Sequence, residues 1–229
     1  MIPAHENPFR ASRIDALPFH FEQQHLSQVW ERFHSHRWRG VLVGPHGSGK
    51  TTLRETLERR LRAEGWSVHQ IILTDTITPT WSLLHGHIQS CGAKTIVSLD
   101  GLDRLGPFLW WRFQRATPHC GGLLATSHVT GRLPLLYQHT TSPTLLKHLI
   151  GLLLTDQATL PDHEYQRLFD RHHGNIRNCL RELYDIWPTP MAIIAKNVAE
   201  TSTSQICTLT QQLPTIATVP RRDSSIASV

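Results

Sequence analysis

Residues 41–52, VLVGPHGSGKTT, constrain what this chain can fold into more than any other stretch. Gly44, Gly49, Lys50 and Thr51 fall at the spacing G-x-x-x-x-G-K-[ST], the pattern of a loop that wraps a phosphate chain. The flanks suit that chemistry. Residues 40–43 are a short apolar run that predicts a buried strand, and residues 51–63 predict a helix. A strand feeding a glycine-rich turn and then a helix gathers free backbone N–H groups around one anion. The positive end of the helix dipole faces that anion. Gly44, Gly47 and Gly49 permit backbone angles and close approaches that a Cβ would block. Pro45, His46, Ser48 and Thr52 complete the expected cradle. Lys50 is placed to reach the β- and γ-phosphates, and the Thr51 hydroxyl to ligate Mg2+. The expected ligand is a nucleoside triphosphate.

A second stretch, KTIVSLDGLD at 94–103, adds to this. Residues 95–99 read as a strand with Asp100 at its C-terminal end, the edge of a parallel sheet where ligands bind. An acidic residue there, closing the next-but-one strand after a phosphate loop, holds Mg2+ through water. Glycine occupies position 101, so no carboxylate follows Asp100 directly. Asp103 is the nearest group able to polarise a water, and it is equally suited to capping the next turn. GGLLATS at 121–127 reads as a fourth strand ending in two hydroxyls, Thr126 and Ser127, near the expected γ-phosphate.

The remaining segments supply the framework. Residues 1–20 carry Pro3, Pro8 and Pro18 and no sustained period, which predicts an extended arm held by apolar residues such as Phe9 and Phe19. Residues 21–36 have the spacing of an amphipathic helix. In the helix after the phosphate loop, Leu53, Leu57 and Leu61 line one face, and Arg54, Glu55, Glu58, Arg59 and Arg62 are assigned to a solvated charged face. Strands are expected at 67–73 and 133–137, with helices at 81–88 and 108–115; Trp110 and Trp111 are expected mostly in the core. Repeated strand–helix alternation implies a parallel sheet covered on both faces. Ser142-Pro143 marks a helix start, and helices at 161–171 and 175–187 follow.

The fold class is therefore α/β, a three-layer αβα parallel sheet with a small C-terminal helical lid. The expected division is an arm over 1–20, a nucleotide-binding domain over 21–140 and the lid over 141–188. Residues 189–229, rich in Ser, Thr and Pro, are expected to be a disordered tail in which 191–198 is mildly apolar.

Composition narrows the setting. No apolar run approaches the ~20 residues of a membrane span, and MIPAHENPFR lacks the make-up of a secretory signal. Cys91, Cys120, Cys179 and Cys207 form no C-x-x-C pair, and the sixteen histidines show no metal-ligand spacing. A reduced, cytoplasmic protein is expected, with no membrane partner. The net charge of +5 comes almost entirely from arginine, since only Lys50, Lys94, Lys147 and Lys196 are lysines. That balance suits a nucleic acid, and it equally suits the local needs of a phosphate site.

Taken together, residues 24–187 resemble a small AAA+-type member of the phosphate-loop NTPases. GPHGSGKT at 44–51 anchors the resemblance. IVSLDGLD at 96–103 matches the second motif, in a D-G-x-D form closer to the signal-transduction ATPases that include NACHT proteins. LLATS at 123–127 falls where the family has its first sensor, and HGNIRNCLRELYD at 173–185 resembles its sensor-2 segment. The resemblance implies ATP and Mg2+ as cofactors. It implies Lys50, Asp100, Asp103 and Arg177 as catalytic residues, Arg177 sensing the γ-phosphate. Thr51 and Asp100 would serve the metal, and Thr126 the nucleotide. The stretch 128–134 is too short for the helix that usually precedes a trans-acting arginine finger, though Arg132 stands in that region. A switch or slow ATPase fits better than a ring-forming motor.

The expected function is ATP binding with slow Mg-dependent hydrolysis, the lid reporting nucleotide state to a protein partner. One alternative is a nucleotide-dependent interaction module that barely hydrolyses, for which Gly101 speaks. Another is a nucleic-acid-dependent ATPase helper, which the basic charge permits. A small-molecule kinase lacks an acceptor motif. Oligomeric state stays open.

Overall fold

The computed structural model describes residues 4–21, 25–74, 76, 78–154 and 160–187. The chain divides into two units, Met1–Pro188 and Thr189–Val229, and the described residues belong to the first. The tail expected over 189–229, with its apolar stretch at 191–198, lies outside the described residues.

Helices α1 (Ala11–Asp15) and α2 (Leu26–Ser35) precede a sheet of five parallel strands: β1 (Arg39–Val43), β2 (Ser67–Ile72), β3 (Thr95–Asp100), β4 (Gly122–Ser127) and β5 (Leu135–Gln138). Their order is β2-β3-β4-β1-β5, so β4 stands between the phosphate-loop strand and the strand that carries Asp100. Strand β4 is buried along its whole length and β1 from Gly40 onward. This is why both read as unbroken apolar runs, whereas the edge strands β2 and β5 include exposed positions.

Successive side chains leave opposite faces of a strand, and the two faces build two cores. Val41, Val43, Val97 and Leu99 pack with α4 (Trp81–Gln89) and α5 (Pro107–Ala116) through Leu84, Ile88 and Phe113. Leu42, Ile96 and Leu124 pack with α2 and with α3 (Lys50–Ala63) through Val29, Phe33, Leu53 and Leu57. The layers are those of the αβα sandwich expected from the sequence.

Three helices follow the sheet: α6 (Pro143–Leu154), α7 (Asp162–Arg171) and α8 (Ile176–Ile186). Ser142 Oγ accepts the Leu145 N–H at 3.0 Å, and Asn175 Oδ1 accepts the Asn178 N–H at 3.2 Å, so both expected caps are made. Leu146, Ile150, Leu153, Leu168, Leu180 and Leu183 are buried among these helices. Among the described residues no helix is long and apolar enough to cross a membrane.

Four expectations need correction. The arm is not uniformly extended, because Ala4–Glu6 is a 3-10 turn and α1 follows. Helix α2 starts at Leu26 rather than residue 21, and Phe21 instead sets its ring edge-on against Tyr137. Trp111 is 51% exposed, because it lies on the α5 stripe opposite Phe113. Finally, Arg54 and Glu58 do not belong to a solvated face: they are 2% and 1% exposed. Ser98 on β3 donates to Glu58 Oε1 at 2.6 Å, which draws this face of α3 onto the sheet.

Candidate functional site

The site grows from the C-terminal edge of the sheet. Where β1 ends, the chain turns through residues 44–49 into α3, with Gly47 and Gly49 at φ of +71° and +83°. These angles are open to glycine and strained for other residues. The turn braces itself: the Ser48 hydroxyl donates to Pro45 O at 2.8 Å, and buried His139 lies 3.0 Å from Ser48 O through Nδ1. His139 is held neutral by its burial, its pKa lowered to about 4.

Lys50 opens α3 and folds back over the turn, donating to Gly44 O at 2.7 Å and Pro45 O at 2.8 Å. Burial lowers its pKa, and Asp100 and Asp103 oppose that shift from across the site. Asp100 ends β3 and accepts a hydrogen bond from the Thr126 hydroxyl of β4. Thr126 Oγ1 in turn accepts the Gly101 N–H at 3.1 Å. The Arg54 guanidinium approaches Asp100 from below, with Nη2 3.9 Å from Oδ2.

Asp103 accepts the His128 N–H at 3.2 Å, so it tethers the loop after β4. Gly101 has φ of +87°, and a Cβ there would meet Leu73 O and Arg104 Cδ at 3.0 Å. A glutamate directly after Asp100 would therefore be strained in this backbone as well as tight against Leu73 O.

A cavity of about 430 Å³ joins these parts. Its polar end is lined by His46, Gly47, Ser48, Gly49, Lys50, Thr51 and Thr52, together with Asp100, Asp103 and Thr126. Its other walls come from the arm and the lid: Ile14, Leu17 and Pro18 on one side, Leu145, Leu149 and Leu180 on the other. Arg177, in the first turn of α8, lines it too. The lid meets the phosphate loop directly, since a Cβ built on Gly47 would lie 2.0 Å from Asn175 Oδ1 and 3.1 Å from Arg177 N. The arm is fixed at both ends. Asn7 donates to Tyr184 O at 2.9 Å and Phe9 packs edge-on against Trp187, while Phe19 packs against Tyr137 and His139.

The structure thus brings Lys50, Thr51, Thr52, Asp100, Asp103, Thr126 and Arg177 to one cavity with loop residues 46–49. Gly44 and Pro45 lie behind the loop and hold Lys50. Ser127, expected to offer a hydroxyl to the γ-phosphate, spends it on Val129 O at 2.7 Å. Arg132 donates to Leu102 O and Leu105 O at 2.8 and 2.6 Å, which ties it into its own subunit.

Sequence reasoning missed His128. Its Nδ1 lies 3.0 Å from Gly44 O and 3.5 Å from Lys50 Nζ, with its ring 4.0 Å from that of His46. Because Gly44 O only accepts, the ring donates from Nδ1. Burial, then Lys50 and His46, lower the His128 pKa. No signal beyond its place after the fourth strand marked it.

The donor set suits a triphosphate with a divalent ion. Backbone N–H groups at a helix N-terminus and one ammonium face an anion, and a hydroxyl and a carboxylate of the kind Mg2+ prefers stand beside them.

No protein-family model matches the chain, and no curated protein matches its sequence. Its fold is similar to that of solved structures of RuvB from Thermotoga maritima. The Holliday junction branch migration motor aligns at a TM-score of 0.51 and 15% identity, over 74% of this chain and 62% of that one. A RuvB variant aligns at 0.51 and 18% identity, over 74% and 62%. Another aligns at 0.52 and 14%, over 75% and 65%. This chain therefore spans less than two thirds of each RuvB chain it matches. Sheet order, the turn between β1 and α3 and the helices that follow the sheet together give this chain the fold seen in the RuvB structures.

Proposed function

We propose that this protein binds ATP with Mg2+ in the cavity between sheet edge, arm and lid, hydrolyses it slowly, and signals nucleotide state through the lid. One observation carries the reading: Lys50, the N-terminus of α3, Asp100, Asp103 and the lid residue Arg177 line a single cavity of about 430 Å³. That volume lies within the range of ligand pockets, roughly 300–1,000 Å³.

In this reading the loop amides and Lys50 bind the phosphates, exchanging the Lys50 contacts to Gly44 O and Pro45 O for phosphate oxygens. Thr51 and Asp100 hold the metal, which supplies neutralisation of phosphate charge when bound. Thr126 and Arg54 keep the Asp100 carboxylate aimed. The apolar walls from Ile14, Leu17, Leu145 and Leu149 exclude water from the rest of the ligand. Among the described residues Asp103 is the one carboxylate lining the cavity besides Asp100 and the arm's Asp15, and it orients a water. Its existing bond to His128 N competes with that task, which favours slow turnover. Arg177 rides on α8, whose cap touches Gly47, so a change at the phosphate loop is felt by the lid.

Gly101 supports a second reading, a nucleotide-gated binding module that does not hydrolyse, because it stands where the usual adjacent acid would and its backbone disfavours one. The Holliday-junction role of the similar RuvB structures makes DNA a partner to include in the assay.

ATP binding and phosphate release are measured with Mg2+ for wild type, Lys50→Ala and Asp103→Asn, with and without DNA. Wild type binds, Lys50→Ala binds at least about tenfold more weakly, and Asp103→Asn binds without turnover. A wild type that fails to bind ATP, or a Lys50→Ala protein that binds equally well, overturns the proposal. Binding without turnover by wild type selects the second reading.

A further inference from the structure

Helix α5 presents a stripe that its role in the core does not explain. Leu109, Trp110, Phe113 and Ala116 face the sheet. The opposite stripe, at spacings of three and four, is Phe108, Trp111, Arg112 and Arg115. Phe108 is 66% exposed and Trp111 51%. A solvent face normally carries charged or small polar side chains at such positions.

The four residues are not scattered apolar accidents. The Phe108 and Trp111 rings lie 6.2 Å apart and only 22° from parallel. The Arg115 guanidinium stands 4.9 Å from the Trp111 centroid. Arg112 lies 4.2 Å from the ring of Trp81 on α4 and 5.9 Å from that of Phe108, bridging the two helices. Aromatic ring and guanidinium thus alternate across the α4–α5 face.

The stretch of chain that carries both helices is also poor in acid. From residue 76 to residue 155 the only carboxylates are Asp100 and Asp103, and both line the nucleotide cavity. The same span carries Lys94, Arg104, Arg112, Arg115, Arg132 and Lys147. No carboxylate of either helix competes for Arg112 or Arg115.

From this geometry we propose that the α4–α5 face binds single-stranded nucleic acid. Phe108 and Trp111, both more than half exposed, offer the π surfaces on which bases stack. Arg112 and Arg115 stiffen those rings and meet the phosphates between successive bases. Alternating rings and cations on helices that carry no carboxylate of their own are the elements of a strand-binding platform that tolerates any sequence. The face lies outside the nucleotide cavity, so the inference does not depend on ATP binding.

The full-length protein is titrated against a fluorescent oligothymidylate of about 20 nucleotides, and fluorescence anisotropy is read at several salt concentrations. The variants are Phe108→Ala, Trp111→Ala and Arg115→Gln, with thermal melting, ATP binding and sedimentation measured on each. All three positions are exposed, so melting stays at the wild-type value. Each aromatic truncation weakens strand binding about tenfold. Arg115→Gln lowers the slope of log affinity against log salt by about 0.7, and a duplex of equal length competes poorly. The proposal is overturned if wild type does not bind the oligonucleotide at low salt. It is overturned equally if the variants bind it unchanged, if the duplex competes as well as the single strand, or if the truncations abolish self-association while leaving strand affinity intact. Failure of ATP binding with the strand result intact would remove the nucleotide reading alone.

Discussion

The contact between lid and phosphate loop gives the sharpest test of how the site works. In Gly47→Ala two independent penalties arise. An alanine held at φ of +71° carries about 1–2 kcal/mol of backbone strain. Its Cβ would sit 2.0 Å from Asn175 Oδ1, so Asn175 must rotate away and release the Asn178 N–H that it caps at 3.2 Å. Loss of such a cap costs about 1 kcal/mol. The sum, about 2–3 kcal/mol, lowers the Tm of a unit this size by roughly 5–10 °C. Asn175→Ala alone loses only the cap, about 1 kcal/mol, and removes the obstructing oxygen. In the double variant the cap is already gone, so the Gly47 change costs only its strain. The two substitutions are then non-additive by about 1 kcal/mol. Urea denaturation followed by circular dichroism measures all four proteins, and ATP titration of the same samples reports the cavity. Strict additivity within about 0.3 kcal/mol would mean that the lid does not rest on the loop, and would refute the coupling.

Two further outcomes follow from buried groups. Arg54→Met leaves Glu58, 1% exposed, without its buried cation and should destabilise by about 3 kcal/mol; adding Glu58→Gln, which can keep the bond to Ser98, should recover most of that loss in chemical denaturation. The second concerns pH: the folded-state pKa of His139 is lowered from 6.5 to about 4, so between those values the unfolded chain takes up a proton that the folded chain refuses. Stability therefore falls as pH drops through that window, by up to about 3 kcal/mol from this residue, and His139→Phe should flatten the profile of ΔG against pH.

What the sequence made legible had one property in common: the information was contiguous. Strands β1, β3 and β4 announce themselves because a centrally buried parallel strand must be apolar on both faces. The phosphate loop announces itself because its chemistry needs glycines, a lysine and a hydroxyl within eight positions. Caps at Ser142 and Asn175 were readable for the same reason, each bond reaching only three residues along the chain. The features that escaped are long-range. His128 acquires its role only because β4 lies beside β1 and delivers it to Gly44 O, 84 residues away in sequence. Trp111 looked like core because tryptophan usually is; its exposure depends on which stripe of α5 meets the sheet.

Arg54 and Glu58 show why the charged face of α3 misled. Pairs spaced by four residues on a helix are normally solvated, and the pattern alone contains nothing to say otherwise. Here β2 and β3 supply what solvent would have supplied. Ser98 and Gln70 donate to Glu58, and Asp100 stands 3.9 Å from Arg54. Arg54 Nε and Nη1 have no hydrogen-bond partner among the described residues. A buried guanidinium so incompletely satisfied is costly in a purely structural role. Its position beneath Asp100, with Nη2 3.9 Å from Oδ2, gives the expense a use, because a fixed positive charge there holds the carboxylate in place before any metal arrives. The same charge weakens the pull of Asp100 on a divalent ion. Arg54→Met, in protein that still folds, should then tighten Mg2+ binding. A Mg2+ titration of both proteins at neutral pH decides the matter: identical affinities for wild type and variant would leave Arg54 a structural residue only.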